Sequence, residues 1–168
     1  MKKLTLVING RGGVGKDTLC EVAATRYRVK NISSITPIKE LAAQCGWQGE
    51  KTDRARRFLA DLKALTAAYN DYPTAWITAQ YREFLKGEEE ILFVHIREAA
   101  EIEKFVRATD GQARTLLVRA ERRMGAHTYG NASDDEVENY NYDYYFSNDG
   151  TPEEAAGEFL GFLAGVIE

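Results

Sequence analysis

Leu4-Thr5-Leu6-Val7-Ile8-Asn9-Gly10-Arg11-Gly12-Gly13-Val14-Gly15-Lys16-Asp17-Thr18 stands near the start of the chain. Leu4–Asn9 is a continuous apolar run ended by glycine, the pattern of a strand buried on both faces. Lys16 opens a helical pattern. Between them four glycines let the backbone curl so that successive N–H groups point inward, as a phosphate-binding loop requires. The helix N-terminus adds partial positive charge, and Lys16 adds a mobile full charge for β- and γ-phosphates. Gly10, Gly12, Gly13, Val14, Gly15, Lys16, Asp17 and Thr18 are therefore the expected nucleotide-binding residues. Asp17 stands where the common motif has a serine or threonine. Its carboxylate is a candidate Mg²⁺ ligand, direct or through water; the alternative is a first-turn acid favoured by the helix dipole. Thr18 remains a donor to an α- or β-phosphate.

Outward from this loop, strands alternate with helices. Further strands are expected at Asn31–Ile35, Ile91–Ile96, Thr115–Val118 and Tyr142–Ser147. Helices are expected at Lys16–Arg28, Pro37–Cys45, Thr52–Tyr69, Pro73–Leu85, Ala99–Ala108 and Pro152–Ile167. Such alternation implies a parallel sheet covered on both faces. Phe58, Leu62, Leu65 and Tyr69 recur at helical spacing, as do Ile77, Tyr81 and Phe84. The two consecutive helices between Thr52 and Leu85 form an insertion over one end of the sheet. Thr36-Pro37 and Thr151-Pro152 read as capping residues before a first-turn proline. Thr151 with Glu154, and Ser133 with Glu136, make capping boxes.

The chain has 168 residues, of which 44% are hydrophobic and 29% charged, a balance that excludes wholesale disorder and fits one domain over residues 1–168. No apolar run approaches the roughly 20 residues of a membrane helix. The N-terminal apolar stretch ends by Ile8, too short for a secretory signal, so a cytoplasmic location is expected. Cys20 and Cys45 form no disulfide framework and read as buried thiols. The net charge of −4 is unevenly spread: residues 1–30 carry +5, and residues 131–168 carry ten acids with no Lys or Arg. That profile argues against a nucleic-acid partner, as does a pI near 5.4. Tyr129, Tyr140, Tyr142, Tyr144, Tyr145 and Phe146 cluster late in the chain; Tyr142, Tyr144 and Phe146 alternate as one face of a strand and read as core.

With the Gly-Lys-Asp-Thr loop in place, the chain resembles the P-loop kinases that phosphorylate phosphate-bearing small molecules. Among these are the deoxynucleoside monophosphate kinases of bacteriophage type and the adenylate-kinase-like phosphomevalonate kinases. Thr36-Pro37-Ile38-Lys39-Glu40 resembles their acceptor helix. Phe93-Val94-His95-Ile96-Arg97, followed by Glu101-Ile102, resembles a strand that ends in Asp-x-Arg and leads into a helix. Ser133–Glu136 through Tyr142–Thr151 resembles their last helix, strand and loop. The likeness runs in order along nearly the whole chain.

The resemblance implies a three-layer α/β P-loop NTPase fold: a five-stranded parallel sheet of order 2-3-1-4-5, a helical acceptor-binding region over residues 36–87, and a short lid over 119–133. It implies ATP and Mg²⁺ as cofactors, a phosphorylated small molecule as partner, and a monomer or homodimer. Lys16, Arg119, Arg122 and Arg123 become candidates for stabilising the migrating phosphoryl group, since the planar fork of arginine holds phosphate oxygens bidentately. Asn148 and Gly150 fall where family members wrap the adenine. Arg97 would clamp the acceptor's phosphate, with Lys39, Arg54 and Arg57 completing that pocket. Ion pairing with Glu98 or Glu101 is the competing role for Arg97, and a solvated helix surface the competing role for Arg54, Arg57, Arg122 and Arg123.

His95 departs from the pattern. The family places an acid there, accepting from Mg²⁺-bound water, whereas a neutral imidazole brings no negative charge. Three outcomes stay open: Asp17 carries the metal site, His95 contacts the acceptor, or catalysis is impaired. His127 reads as an exposed histidine of the lid region. The function expected is an ATP-dependent kinase whose acceptor is a (deoxy)nucleoside monophosphate. The alternatives are a kinase for another phosphorylated metabolite, such as phosphomevalonate, and a non-catalytic nucleotide sensor. A GTPase-type switch is weaker, because no Asn-Lys-x-Asp signature occurs.

Overall fold

The computed structural model describes residues 2–120 and 137–167. Five strands, β1 (Leu4–Asn9), β2 (Val29–Ser33), β3 (Ile91–His95), β4 (Arg114–Arg119) and β5 (Tyr144–Ser147), form one sheet. Its order is β2-β3-β1-β4-β5, and all four pairings are parallel. This is the P-loop NTPase arrangement that the sequence implies. The register aligns the strands' C-terminal ends: Ile8 and Ser33 both lie beside His95, Asn9 beside Leu117, and Arg119 beside Ser147. Polar side chains from all five strands therefore gather along one edge, where open α/β sheets bind ligands.

All six residues of β1 are buried, because both faces of the sheet are covered. On one face Leu6, Ile8, Phe93 and Val118 pack with Leu19, Phe159 and Leu163. The last three come from α1 (Lys16–Ala23) and α6 (Pro152–Ile167). On the other face Val7, Leu92, Val94 and Leu117 meet Ile77, Tyr81, Phe84, Ile102 and Phe105, from α4 (Tyr72–Lys86) and α5 (Ala99–Ala108). Alternate residues of one strand thus serve opposite cores. Lys3 ties the start of β1 to the end of α4. Its ammonium donates to the Gly87 and Glu89 carbonyls at 2.8 and 2.6 Å and lies over the Phe84 ring.

Several boundaries differ from the sequence reading, for local reasons. α1 stops at Ala23 instead of Arg28, because turn hydrogen bonds from Thr25 and Arg26 close it early. β2 accordingly begins at Val29 and ends before Ser34. α2 (Thr36–Gln44) has Ile35 at its N-cap and no side-chain cap, so Thr36 does not cap it. Thr151 does cap α6, its hydroxyl accepting from Glu154 N at 3.2 Å. The Ser133–Glu136 box lies outside the described residues. Cys20 is buried as expected, but Cys45 is exposed just past the end of α2. Asp143 accepts from the Thr115 N–H and hydroxyl at 2.9 and 3.1 Å, and β5 starts only at Tyr144. Tyr142 therefore joins the α4/α5 core, whereas Tyr144 and Phe146 pack toward α6.

α3 (Asp53–Asn70) lies within one residue of its expected bounds. Thr52 caps it, accepting from Ala55 N, yet Ala55 is its one buried residue. Of the apolar residues at helical spacing, Leu65 is 69% exposed and Tyr69 86% exposed. Periodicity reports a helix and an apolar face, but the neighbouring elements decide whether that face is covered. Two substitutions separate the cases. Phe159→Ala, in a fully buried site against Phe93 and Phe146, should cost about 3–5 kcal/mol in urea unfolding. Leu65→Ala should stay within about 0.5 kcal/mol of the parent. A Leu65→Ala loss as large as that at Phe159 would show that α3 packs through this face.

Candidate functional site

The loop between β1 and α1 is shaped by its glycines. Gly13 and Gly15 have φ of 85° and 88°, the left-handed region open mainly to glycine. A Cβ on Gly10 would stand 2.7 Å from the Val118 carbonyl oxygen, so glycine there lets the loop pass close against β4. Gly15 serves as the N-cap of α1, with no side-chain cap. The first turn therefore presents backbone N–H groups and the dipole's positive end, as an anion site does.

Two buried asparagines support this loop. Asn9 is fully buried at the end of β1. Its Oδ1 accepts from Gly10 N at 2.9 Å, and its Nδ2 donates to the Arg97 carbonyl at 3.1 Å and to the Tyr142 hydroxyl at 2.9 Å. From the other side Asn148 Nδ2 donates to the Val14 carbonyl at 2.8 Å, and its backbone N–H reaches the Arg119 carbonyl at 2.6 Å. The side chain of Asn148 is thus occupied in bracing the loop; Gly150 lies two residues on, exposed. The sequence reading missed Asn9. The available signal was an amide side chain closing a strand that is otherwise nearly all apolar.

Lys16, Asp17 and His95 come together at the mouth of the loop. Burial is the main cause that lowers the His95 pKa to about 4; the Lys16 ammonium lowers it further, while the Asp17 carboxylate opposes. The ring is therefore neutral near pH 7. Its Nε2 lies 3.1 Å from Asn31 Oδ1 and 3.9 Å from Cys20 Sγ. With a carbonyl oxygen as partner, Nε2 carries the proton, which leaves Nδ1 as the acceptor. Burial, with help from Asp17, pushes the Cys20 thiol up to about 12, so the cysteine is an inert neighbour and not a nucleophile.

The basic candidates divide by location. Arg119, at the C-terminal end of β4, donates to Glu138 Oε1 through Nε and Nη2 at 3.1 and 2.8 Å and lies over the Tyr145 ring. Arg97 is half-buried in the link from β3 to α5. Lys63 of α3 lies 3.1 Å from Glu98 Oε2 and 3.1 Å from Glu101 Oε1. Burial raises the Glu101 pKa, and Lys63 opposes that shift. Lys63 was also missed, because its spacing is that of an ordinary solvated helix residue. Lys39, Arg54 and Arg57 are exposed on α2 and α3. Arg54 lines an open cavity of about 590 Å³ with Cys45, Trp47, Thr52, Ala55 and Phe58. Arg122, Arg123 and His127, with most of the expected lid, lie outside the described residues.

Mg²⁺ held with a nucleotide needs only one or two protein carboxylates, since phosphates and water fill the other positions. Asp17 in the first turn, with Thr18 beside it, fits that demand. No group of three or more His, Cys, Asp or Glu residues that could hold a metal occurs among the described residues.

The lowered His95 pKa has a signed consequence for stability. A histidine that takes up a proton at about 6.5 when unfolded and at about 4 when folded leaves stability intact above pH 6.5 and removes it as pH falls toward 4. His95→Gln should flatten that dependence. In urea titrations the parent should lose about 2 kcal/mol more than the variant between pH 7.5 and pH 5. Equal losses would show that His95 is solvated.

No family model matches the chain, and no curated protein matches it in sequence. Solved structures do match in fold. The tunicamycin resistance protein of Deinococcus radiodurans has a TM-score of 0.61 at 12% identity, over 96% of each chain. The shikimate kinase of Aquifex aeolicus has a TM-score of 0.55 at 12% identity, over 96% of this chain and 97% of that one. A gluconokinase from Sinorhizobium meliloti has a TM-score of 0.52 at 16% identity, over 98% and 93%. At such identities the likeness is one of architecture. The chain has the α/β P-loop fold in which these small-molecule kinases are built.

Proposed function

We propose that this chain is an ATP-dependent kinase that transfers the γ-phosphoryl group to a small acceptor already carrying a phosphate, a (deoxy)nucleoside monophosphate being the first choice. The observation that carries the reading is a Gly-Lys loop of left-handed glycines between β1 and α1, flanked by Arg97 and Arg119 just past β3 and at the end of β4. Phosphoryl transfer depends on positioning and charge neutralisation, and these are what such a rim supplies.

In this reading the loop amides and Lys16 bind the nucleotide phosphates, and Arg119 exchanges Glu138 for the migrating group, with Arg122 and Arg123 as further candidates. Arg97 orients the acceptor phosphate, and Lys39, Arg54 and Arg57 serve it from α2 and α3. Asp17 would hold Mg²⁺, which neutralises phosphate charge when bound. Asn148 and Gly150 border the adenine. The partner is the small-molecule acceptor, with neither nucleic acid nor membrane involved, and the protein acts as a monomer or homodimer in the cytoplasm. No described helix is long and apolar enough to cross a membrane. A non-catalytic nucleotide sensor is the second reading, favoured by one observation: His95 is a neutral ring where the resembling kinases carry an acid.

The deciding experiment is coupled ADP production with Mg²⁺-ATP against ribo- and deoxynucleoside monophosphates and phosphomevalonate. Shikimate, gluconate and tunicamycin, after which the structural neighbours are named, serve as unphosphorylated comparisons. Turnover confined to the unphosphorylated set would overturn the acceptor assignment. Nucleotide binding with no turnover at all would favour the sensor. Two variants sharpen the roles. Lys16→Ala should lose at least about a hundredfold in transfer rate with an unchanged unfolding midpoint. Arg97→Ala should raise the acceptor KM by about tenfold or more and leave the ATP KM nearly unchanged. An Arg97→Ala enzyme with parental acceptor kinetics would remove Arg97 from the acceptor site.

A further inference from the structure

The Asn9 side chain links the phosphate loop, the Arg97 link and the segment leading into β5. Its orientation is fixed by its partners. Gly10 N is a donor and needs the amide oxygen, while the Arg97 carbonyl is an acceptor and needs the amide nitrogen. The second Nδ2 hydrogen goes to the Tyr142 hydroxyl, which in turn donates to the Val137 carbonyl at 2.7 Å. Every donor and acceptor of the Asn9 side chain is thereby engaged. Aspartate would lack the donors, and leucine would lack everything but the volume. The Asn9–Tyr142 and Tyr142–Val137 bonds are fully buried, where breaking one leaves an unsatisfied polar group and is costly. Hydrogen bonds in such a chain also polarise one another.

We propose that Asn9 is a positioning residue that couples the phosphate loop to the backbone of Arg97 and, through Tyr142, to the Val137–Tyr142 segment. A nucleotide seated on the loop then sets where the acceptor-side arginine stands. The proposal rests on the kinase reading above. The loop amide of Gly10 and the Arg97 carbonyl share one rigid amide group. A shift of the loop on filling therefore passes to Arg97 without crossing solvent, and the Tyr142 limb carries the same shift to the far side of β1.

The test is hydrogen–deuterium exchange on the full chain with and without Mg²⁺-AMPPNP, with calorimetry to verify nucleotide binding. In the parent, nucleotide should slow exchange about fivefold or more over residues 96–99 and 137–142. Asn9→Ala should bring both ratios below about twofold while the AMPPNP Kd stays within about fivefold. Tyr142→Phe keeps the ring and its packing. It should lose the effect over 137–142 and retain it over 96–99, and it carries the test if Asn9→Ala does not fold. A role confined to packing would speed exchange equally with and without nucleotide; unchanged ratios in the variants overturn the proposal. So does a parent that binds Mg²⁺-AMPPNP with no slowing in either segment, a result that leaves the kinase reading in place. A parent that does not bind Mg²⁺-AMPPNP overturns the kinase reading itself, and the coupling with it.

Discussion

Burial of β1 on both faces is the constraint from which the site follows. A strand enclosed by β3 and β4 and covered above and below can end in only one way, by delivering its chain to the C-terminal edge of the sheet. There the backbone must turn sharply into α1 without burying unpaired polar groups. Glycine at position 10 permits the close pass under β4, and the two asparagines satisfy the loop's rear-facing groups. The shape of the Gly-Lys loop is thus set by how the core is closed.

Electrostatics at this edge are built from few charges. The Lys16 ammonium and the Asp17 carboxylate act in opposite directions on a His95 ring that stays uncharged, with Arg97 and Arg119 further along the same edge. An imidazole closes β3, and a carboxylate follows Lys16 in the first turn of α1.

The strands and the glycine loop were legible in local pattern, as buried runs and glycine spacing, whereas the strand order followed from the resemblance to P-loop kinases. What was not legible depended on partners distant in the chain. Tyr142 packs on the face opposite to that of Tyr144 because Asp143 is bonded to Thr115, 28 residues away. Asn148 reads as a loop residue beside a ligand until Val14 is placed against it. The Lys63 pairing with Glu98 and Glu101, at the start of α5, needs the angle between two helices, which no periodicity encodes. Cys45 and the apolar stripe of α3 show the same limit: apolar character was visible, coverage was not.

That bare stripe has a consequence for how the molecule comes apart. With one buried residue in eighteen, α3 draws little of its stability from the core. The strands of the sheet can open only with the whole fold, whereas α3 can fray while both cores stay intact. The wall that α3 builds is therefore a part of this protein whose order costs little to give up, and its residues are ones the architecture leaves free to change.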